Sequence, residues 1–158
     1  DVTGVQTCAL PISAPMATLH VSGSVIIASG ITSSGTITCT TGIVSTSKSG
    51  GVGYATGAGS GVTQTTSRTQ GVTVNSVCGA ITLVSAAGTT AWQSFTVTNS
   101  AVATTDTIIV NQKSGTDLYE IHVTNVGAGT FQLTYRTTAG TTTEQPVFNF
   151  SVIKSVDA

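Results

Sequence analysis

The stretch Trp92-Gln93-Ser94-Phe95-Thr96-Val97-Thr98-Asn99 decides the class of fold, and its pattern continues through residues 71–154. Phe95 and Val97 alternate with polar residues, which is the two-residue period of a β-strand with one buried face. Similar segments follow on both sides, separated by Gly, Asn and Asp, which favour turns. No stretch shows the 3.6-residue period of a helix. The sequence therefore predicts an all-β domain.

About seven strands are predicted from Val62 onward, and they favour an antiparallel β-sandwich of jelly-roll-like form. The unbroken apolar run Ile108-Ile109-Val110 predicts a central strand covered on both faces. Turns are predicted near Cys78-Gly79, near Ala87-Gly88 and at 104–106, 114–117, 127–129 and 139–140. The middle of the core is predicted across a hairpin closed by residues 127–129, and its members are Tyr119, Ile121, Val123, Phe131, Leu133 and Tyr135.

The charge content is low, at 7% of the chain, compared with about 25% in an average soluble domain. The formal net charge of −1 opposes association only weakly, so the composition favours self-association. No apolar run reaches the ~18 residues of a membrane-spanning helix, so no membrane insertion is predicted. A nucleic-acid partner is not predicted either, because the basic residues are scattered rather than clustered; they are Lys48, Arg68, Lys113, Arg136 and Lys154.

A six-residue apolar repeat precedes the strands, and its members are Leu19, Val25, Ile31, Ile37 and Ile43. Because six is even, each repeat places its apolar residue on the same face of an extended chain. Hexads occur in parallel β-helices, but five make fewer than two coils, and stacked repeats need neighbours to bury a core. The alternatives are a short β-rich stalk over residues 16–48, built by several chains together, or ordinary hairpin strands. The stalk predicts a homotrimer through residues 19–45.

The remaining segments set the domain boundaries. Residues 1–13 read Asp-Val-Thr-Gly-Val-Gln-Thr-Cys-Ala-Leu-Pro-Ile-Ser and resemble a translated sequencing adapter of metagenomic origin, so we expect them to be disordered and outside the fold. Residues 49–61 are Gly-rich and predict a linker. Their spacing does not match G-x-G-x-x-G, and no Lys-Ser/Thr follows, so a phosphate loop is not predicted. The sandwich head domain is then expected over residues 62–158.

Few side chains are candidates for a chemical site. His122 lies two residues from Glu120 on the polar face of one predicted strand, so the two point the same way. The pair could hold a metal or a proton, but a zinc site needs three or four ligands, which favours a solvated polar face. The other histidine is His20. The spacing of Cys8, Cys39 and Cys78 matches no zinc motif and no disulfide framework, so buried or half-buried thiols are expected.

Acidic and aromatic side chains give no catalytic pattern. Asp106, Asp117 and Glu144 lie in or beside predicted turns, where Asp bonds to local backbone. A calcium loop needs several oxygens at fixed offsets, and Asp117 with Thr116 supplies too few. Aromatic rings stack on sugars, but Tyr119 and Tyr135 lie on the predicted core face. Trp92 is out of phase with that face and is predicted to be a surface or interface residue. No catalytic, cofactor-binding or metal-binding residue is predicted.

Residues 53–75, followed by Gly79-Ala-Ile-Thr-Leu83, resemble a domain of tailed-bacteriophage virion proteins. Phe95-Thr-Val-Thr-Asn-Ser100, Thr107-Ile-Ile-Val-Asn111 and Val147-Phe-Asn-Phe-Ser-Val-Ile-Lys154 fit the same resemblance, which covers about residues 52–154. It implies a non-enzymatic virion structural protein, such as a tail fibre, head fibre or decoration protein, with other virion proteins as partners and a host-surface glycan as a candidate partner. It implies no catalytic motif and no cofactor.

Two other functions remain open from the residues. The first is a secreted carbohydrate-binding or adhesin-like β-sandwich module. The second is an enzyme such as a glycan-depolymerising tailspike, which is disfavoured because no two carboxylates are predicted to pair.

Overall fold

The computed structural model describes residues 25, 27, 30–40 and 42–155, and the chain divides into two units, Asp1–Val44 and Ser45–Ala158. Within the described part the second unit contains ten strands and no helix. The strands are β1 (Gly59–Thr63), β2 (Val72–Thr73), β3 (Cys78–Thr82), β4 (Ala86–Ala87), β5 (Gln93–Thr98), β6 (Thr107–Ser114), β7 (Leu118–Gly127), β8 (Thr130–Ala139), β9 (Thr143–Glu144) and β10 (Val147–Ile153).

Two four-stranded sheets form a sandwich. Sheet A has the strand order β1-β3-β10-β6, sheet B has the order β2-β5-β8-β7, and β4 pairs with β9 in a short ribbon. The pairs β1–β3 and β2–β5 are parallel, whereas the other pairs are antiparallel. The predicted all-β class is confirmed, and the sheets are mostly antiparallel as expected for a β-sandwich.

The core lies between the sheets, where alternate residues of each strand point inward. Phe131 of sheet B contacts Phe150 of sheet A, with ring centroids 5.5 Å apart. Tyr135 meets Phe148 edge-on at 5.3 Å. Tilted and edge-on contacts of this kind add to the gain from burying apolar area. The buried apolar residues are Val72, Val74, Ile81, Leu83, Phe95, Val97, Val102, Ile108, Tyr119, Phe131, Leu133, Tyr135, Phe148, Phe150 and Val152.

The β7–β8 hairpin is confirmed, with its turn where the sequence predicts it. Gly129 has a φ of 73°, a conformation that a residue with a side chain rarely adopts. Tyr119, Phe131, Leu133 and Tyr135 are buried as predicted. Ile121 and Val123 are only half-buried, so their predicted central position is wrong. The reason is that β7 is an edge strand, and its register shifts between Val123 and Asn125.

Residues 108–110 form a strand as predicted, but the central position predicted for that strand is wrong. β6 is an edge strand that pairs only with β10 within its sheet. Ile108 is buried and Val110 is half-buried against the core, but Ile109 is 51% exposed. An unbroken apolar run does not reveal which of its residues will face water, because that depends on a partner strand far away in the sequence.

The predicted turn at Cys78-Gly79 lies inside β3, and the predicted linker 49–61 ends too late because β1 begins at Gly59. A Cβ on Gly79 would come within 2.1 Å of the Ser60 carbonyl oxygen and 2.9 Å of the Phe150 ring. The glycine therefore marks the close approach of β1 and the Phe150 ring rather than a turn. Further upstream, the Tyr54 hydroxyl donates to the Val152 carbonyl, so part of the predicted linker is bonded to β10.

The structure describes only part of the N-terminal unit. Residues 1–13 and Leu19 lie outside the described residues. Val25, Ile31, Ile37 and Ile43 are exposed, and no strand occurs among the described residues of 16–48. In a single chain the described hexads thus have no paired strand, and the several-chain stalk stays a prediction.

Candidate functional site

The most distinctive surface of the sandwich is the outer side of sheet B around Trp92, which we call the Trp92 surface; it comprises Trp92, Glu120, His122 and Arg136. Trp92 directly precedes β5, whose first residue, Gln93, pairs with Tyr135 of β8. This register brings the indole beside Arg136, the next residue of β8. Glu120 pairs with Arg136 across β7 and β8, and His122 follows two residues later on the same face. Pairing of three strands therefore collects four side chains that are distant in the sequence.

An aromatic ring, a cation and a carboxylate are in direct contact on this surface. The Arg136 guanidinium lies over the Trp92 ring, with its central carbon 4.5 Å from the ring centroid. Its Nε atom donates to Glu120 Oε2 at 2.9 Å, and its Nη2 atom lies 2.9 Å from the same oxygen in an ion pair. The other carboxylate oxygen, Oε1, lies 3.0 Å from His122 Nε2, and the His122 ring is 5.5 Å from that of Trp92. Glu120 thus holds both Arg136 and His122 beside the indole.

The electrostatics of Glu120 follow from these contacts. The hydrogen bond from His122, and then that from Arg136, lower the pKa of the Glu120 carboxyl below its ordinary value. The group is therefore an ionised, acceptor-only carboxylate at neutral pH, so His122 must donate through Nε2–H. In the neutral imidazole this leaves Nδ1 as a hydrogen-bond acceptor, on a side chain that is about half exposed.

A chain of hydroxyl groups runs beside the Trp92 surface. Thr124 Oγ1 donates to Gln132 Oε1 at 2.9 Å. Thr124 and Thr134 hydroxyls are 2.8 Å apart, as are those of Thr134 and Ser94. Because each hydroxyl has one proton, the chain has a direction: Ser94 donates to Thr134, and Thr134 donates to Thr124. Lone pairs on these hydroxyls remain as acceptors along the outer side of sheet B.

The structure confirms two predictions and reveals one contact that the sequence did not show. Glu120 and His122 do point the same way, and Trp92 is exposed, at 47%. Arg136 was predicted only as one of five scattered basic residues. Its position over Trp92 depends on the pairing of β5 with β8, and no local pattern shows that pairing.

A second polar cluster is buried at one end of the sandwich around Arg68, in the loop between β1 and β2. Its guanidinium donates to the Tyr119 hydroxyl at 2.8 Å, to the Glu144 carbonyl at 2.7 Å and to the Val84 carbonyl at 3.2 Å, as well as to the Ala86 carbonyl. A buried arginine is stable only when its fixed set of donors is satisfied. Arg68 therefore links β7, β9 and the β3–β4 connection, which is a structural role.

The tyrosines of this cluster are structural as well. The Tyr135 hydroxyl donates to the Arg68 carbonyl at 2.7 Å, and the Tyr119 hydroxyl donates to Glu144 Oε1 at 3.0 Å. Burial raises the pKa of Tyr119 to about 12, despite the opposing effect of the Arg68 charge. Burial also raises the pKa of Tyr135. Both tyrosines therefore stay neutral hydrogen-bonding groups, and their predicted place in the core is confirmed.

The three candidate carboxylates bind backbone in the turns. Asp106 Oδ2 accepts from the Ala103 N–H at 2.8 Å and from Lys154 Nζ at 2.6 Å, and these contacts lower its pKa in that order of importance. Asp117 Oδ2 accepts from the Thr142 N–H at 2.7 Å. These bonds link the loops to one another. This structural role explains why acidic residues occupy these positions.

Glu144 is held in the same way. Its carboxylate accepts from the backbone N–H groups of Thr116 and Asp117. Burial by itself would raise the Glu144 pKa, but those two N–H groups, the Tyr119 hydroxyl and the Arg68 charge together lower it.

Other parts of the described structure offer no assembled site. An open depression of about 500 Å³ lies over the outer side of sheet A, lined by small residues such as Gly59, Gly61 and Ala80. No group of three His, Cys, Asp or Glu side chains close enough to hold a metal occurs among the residues described. Cys39 and Cys78 carry free thiols; Cys78 is half-buried as expected, whereas Cys39 is exposed, so the expectation of a buried or half-buried thiol is wrong there. His20 and Cys8 fall outside the described residues. In the part of the chain that the structure covers, no helix is long and apolar enough to cross a membrane.

Comparison with protein families, with curated proteins and with solved structures found no match for this chain. The resemblance to tailed-bacteriophage virion proteins therefore stays a hypothesis, and the function has to be inferred from the fold and the Trp92 surface.

Proposed function

We propose that this chain is a non-enzymatic structural protein of a tailed-bacteriophage virion: a tail fibre, a head fibre or a decoration protein. It acts in virion assembly or in attachment to the host surface, and it is made in the host cytoplasm before it joins the virion. The resemblance over residues 52–154 supports the virion assignment. A compact sandwich that presents an exposed tryptophan on a polar sheet face supports the attachment role.

The observation that carries the attachment role is the exposure of Trp92 on a rigid surface. Tryptophan and arginine are enriched among the residues that dominate binding energy at interfaces. The opposite face of the same sheet forms the core through Phe95, Phe131 and Leu133. Because those residues fix the backbone of β5 and β8, the Trp92 surface is preorganised, which reduces the entropic cost of binding.

The apolar hexad residues support assembly as a homotrimer. Five such side chains would contribute roughly 7–15 kcal/mol per protomer if they were buried between chains, before ordering costs. A single extended segment cannot gain this, because in one chain Val25, Ile31, Ile37 and Ile43 face solvent. Electrostatic repulsion between three chains would also be weak, because the formal net charge of each is −1.

Light scattering after size-exclusion chromatography tests the trimer. The unmodified chain should elute as a trimer, and the double variant Ile31→Asp, Ile37→Asp should elute as a monomer. The circular dichroism of the sandwich should be unchanged, since no strand lies among the described residues before Gly59. A monomeric parent at tens of micromolar, or a variant that stays trimeric, would contradict the stalk.

The virion assignment is tested by the genes beside the coding sequence. Portal, capsid or tail genes are expected next to it. A position in a secretion or polysaccharide-degradation operon, together with a secretion signal on the complete chain, would instead favour a secreted carbohydrate-binding or adhesin-like module. The Trp92 surface suits that second function equally well, so genome context separates the two where the sandwich does not.

A further inference from the structure

The Trp92 ring contacts two side chains of sheet B and is otherwise partly exposed. The Arg136 guanidinium lies over the ring at 4.5 Å from the centroid, and the His122 ring approaches at an interplanar angle of 52°. Arg136 belongs to β8 and His122 to β7, so both contacts come from paired strands of the sheet. Trp92 is 47% exposed, so part of the indole remains accessible to a ligand.

Hydrogen-bond acceptors lie beside the indole of Trp92. In the neutral imidazole His122 Nδ1 is one, because Nε2–H donates to Glu120. The hydroxyl oxygens of Ser94 and Thr134 are others, because their protons are used in the series of side-chain hydrogen bonds that ends at Gln132. Ser94, Thr134 and His122 form one row across the three strands. That row lies about 6.7 Å, or two strand residues, from the pair Glu120–Arg136. A ligand of this site thus combines an apolar face with several hydroxyl donors.

The charges of the site disfavour an anionic ligand. The guanidinium of Arg136 is neutralised by Glu120, with two contacts of 2.9 Å. Both Glu120 oxygens are already bonded. The row formed by Ser94, Thr134 and His122 carries no charge while His122 is neutral. A phosphate or a carboxylate would need an unpaired cation or a converging set of N–H donors, as arginine-based anion sites have. An uncharged polyhydroxyl ligand meets no such mismatch.

We propose that the Trp92 surface binds a neutral pyranose unit of a host-surface glycan, an inference that rests on the attachment function proposed above. The apolar C–H face of the sugar packs on the accessible part of the indole, whose π-electrons carry partial negative charge. Sugar hydroxyls donate to His122 Nδ1 and to the hydroxyl oxygens of Ser94 and Thr134. A few polar groups around an apolar contact are the usual way in which a site orients its ligand.

Glu120 is a positioning residue in this site. It does not need to touch the sugar, because its two oxygens hold Arg136 against the indole and fix the tautomer of His122. Replacement by Gln keeps the size but removes the charge that anchors both partners. The variant Glu120→Gln should therefore weaken sugar binding and also change the environment of the indole in the unliganded protein.

The chain contains a single tryptophan, so its fluorescence reports on this site alone. The full chain should be titrated with a panel of neutral oligosaccharides built from glucose, galactose, mannose or N-acetylglucosamine, and with sialylated and uronate-containing counterparts of equal length. A saturable change in emission with at least one neutral oligosaccharide, and weaker binding of its acidic counterparts, is the expected result.

Isothermal titration calorimetry on variants assigns the binding to the surface. Trp92→Ala should weaken binding of the neutral sugar by about tenfold or more, Trp92→Phe should weaken it less, and Glu120→Gln should weaken it severalfold with a shifted emission maximum. Ile109→Ala is the matched control: Ile109 is 51% exposed on the outer side of sheet A and should leave affinity unchanged. Equal melting temperatures for the four variants and the parent would exclude unfolding as the cause.

Three results would overturn the inference: no saturable emission change with any neutral saccharide of the panel, a preference for the acidic counterparts, or the same loss of affinity from Ile109→Ala as from Trp92→Ala. A failed virion assignment is recognised separately, because it shows in the genome context and leaves the sugar titration intact. Conversely, a chain encoded among tail genes that ignores every saccharide would keep the virion role and lose this site.

Discussion

Replacing Arg68 by Met should severely destabilise the sandwich. Arg68 is 4% exposed, and its guanidinium donates to the Tyr119 hydroxyl and to the carbonyl groups of Val84, Ala86 and Glu144. Methionine fills part of the space but supplies no donor. Three of these acceptors are backbone carbonyl groups, which stay in place in the variant. The substitution therefore leaves them buried without a hydrogen-bond donor.

The size of the effect follows from those acceptors. A buried polar group that loses its partner costs about 1–3 kcal/mol. Four such groups relax together and recruit some water, so a loss of about 3–5 kcal/mol is expected rather than the full sum, in line with breaking other buried charged contacts. At about 4–8 °C per kcal/mol for a domain of this size, the melting temperature should fall by roughly 12–40 °C.

Urea unfolding of three variants measures this loss. Arg68→Met should shift the midpoint strongly, and Arg68→Lys should fall between it and the parent, because an ammonium group cannot reach several carbonyls as the planar fork does. Lys113→Met removes a charge from an exposed side chain and should change stability by no more than about 0.5 kcal/mol. If Arg68→Met unfolds within about 1 kcal/mol of the parent, the buried cluster is not a stabilising element.

Three further predictions follow. Phe131→Ala should cost about 3–5 kcal/mol because the ring is fully buried against Phe150, whereas Thr134→Ala on the outer face should cost little; equal costs in chemical denaturation would contradict the register. The folded-state pKa values of Asp106 and Glu144 are lowered, so their stabilisation is complete above the unfolded values and is lost as pH falls through the folded ones. The unfolding free energy should therefore be level above about pH 5 and decline below about pH 4, and a level acid limb would show that these carboxyls do not matter. Deleting residues 1–13 should leave the melting temperature unchanged within about two degrees; a large drop in calorimetry would mean that they belong to the fold.

Strands with complete alternation could be predicted from the sequence, and strands defined by distant partners could not. Residues 131–135 and 148–152 alternate strictly, and the structure buries Phe131, Leu133, Phe148 and Phe150 as expected. Ile109 was expected to be covered because its neighbours are apolar. Its exposure follows from the edge position of β6, which is set by β10, some forty residues later.

The candidate site also has some features that one strand determines and others that depend on the pairing of distant strands. The shared face of Glu120 and His122 and the surface position of Trp92 are local properties, since each follows from counting by two along one strand. The stacking of Arg136 on Trp92 is not local, because the register of β5 against β8 brings them together. Burial of Arg68 is still less visible, since an arginine in a polar loop normally predicts exposure.

The position of β10 has a consequence for biosynthesis. This strand lies between β3 and β6 in sheet A and carries Phe148, Phe150 and Val152 into the core. At a translation rate of about 5–20 residues per second, roughly 3–13 s pass between synthesis of β3 and synthesis of its partner β10. During that interval the nascent chain exposes one unpaired edge of β3 and, once β6 has been made, one unpaired edge of that strand. The sandwich can close only after residues 147–153 emerge from the ribosome, so the timing of translation, as well as stability, governs the yield of folded protein.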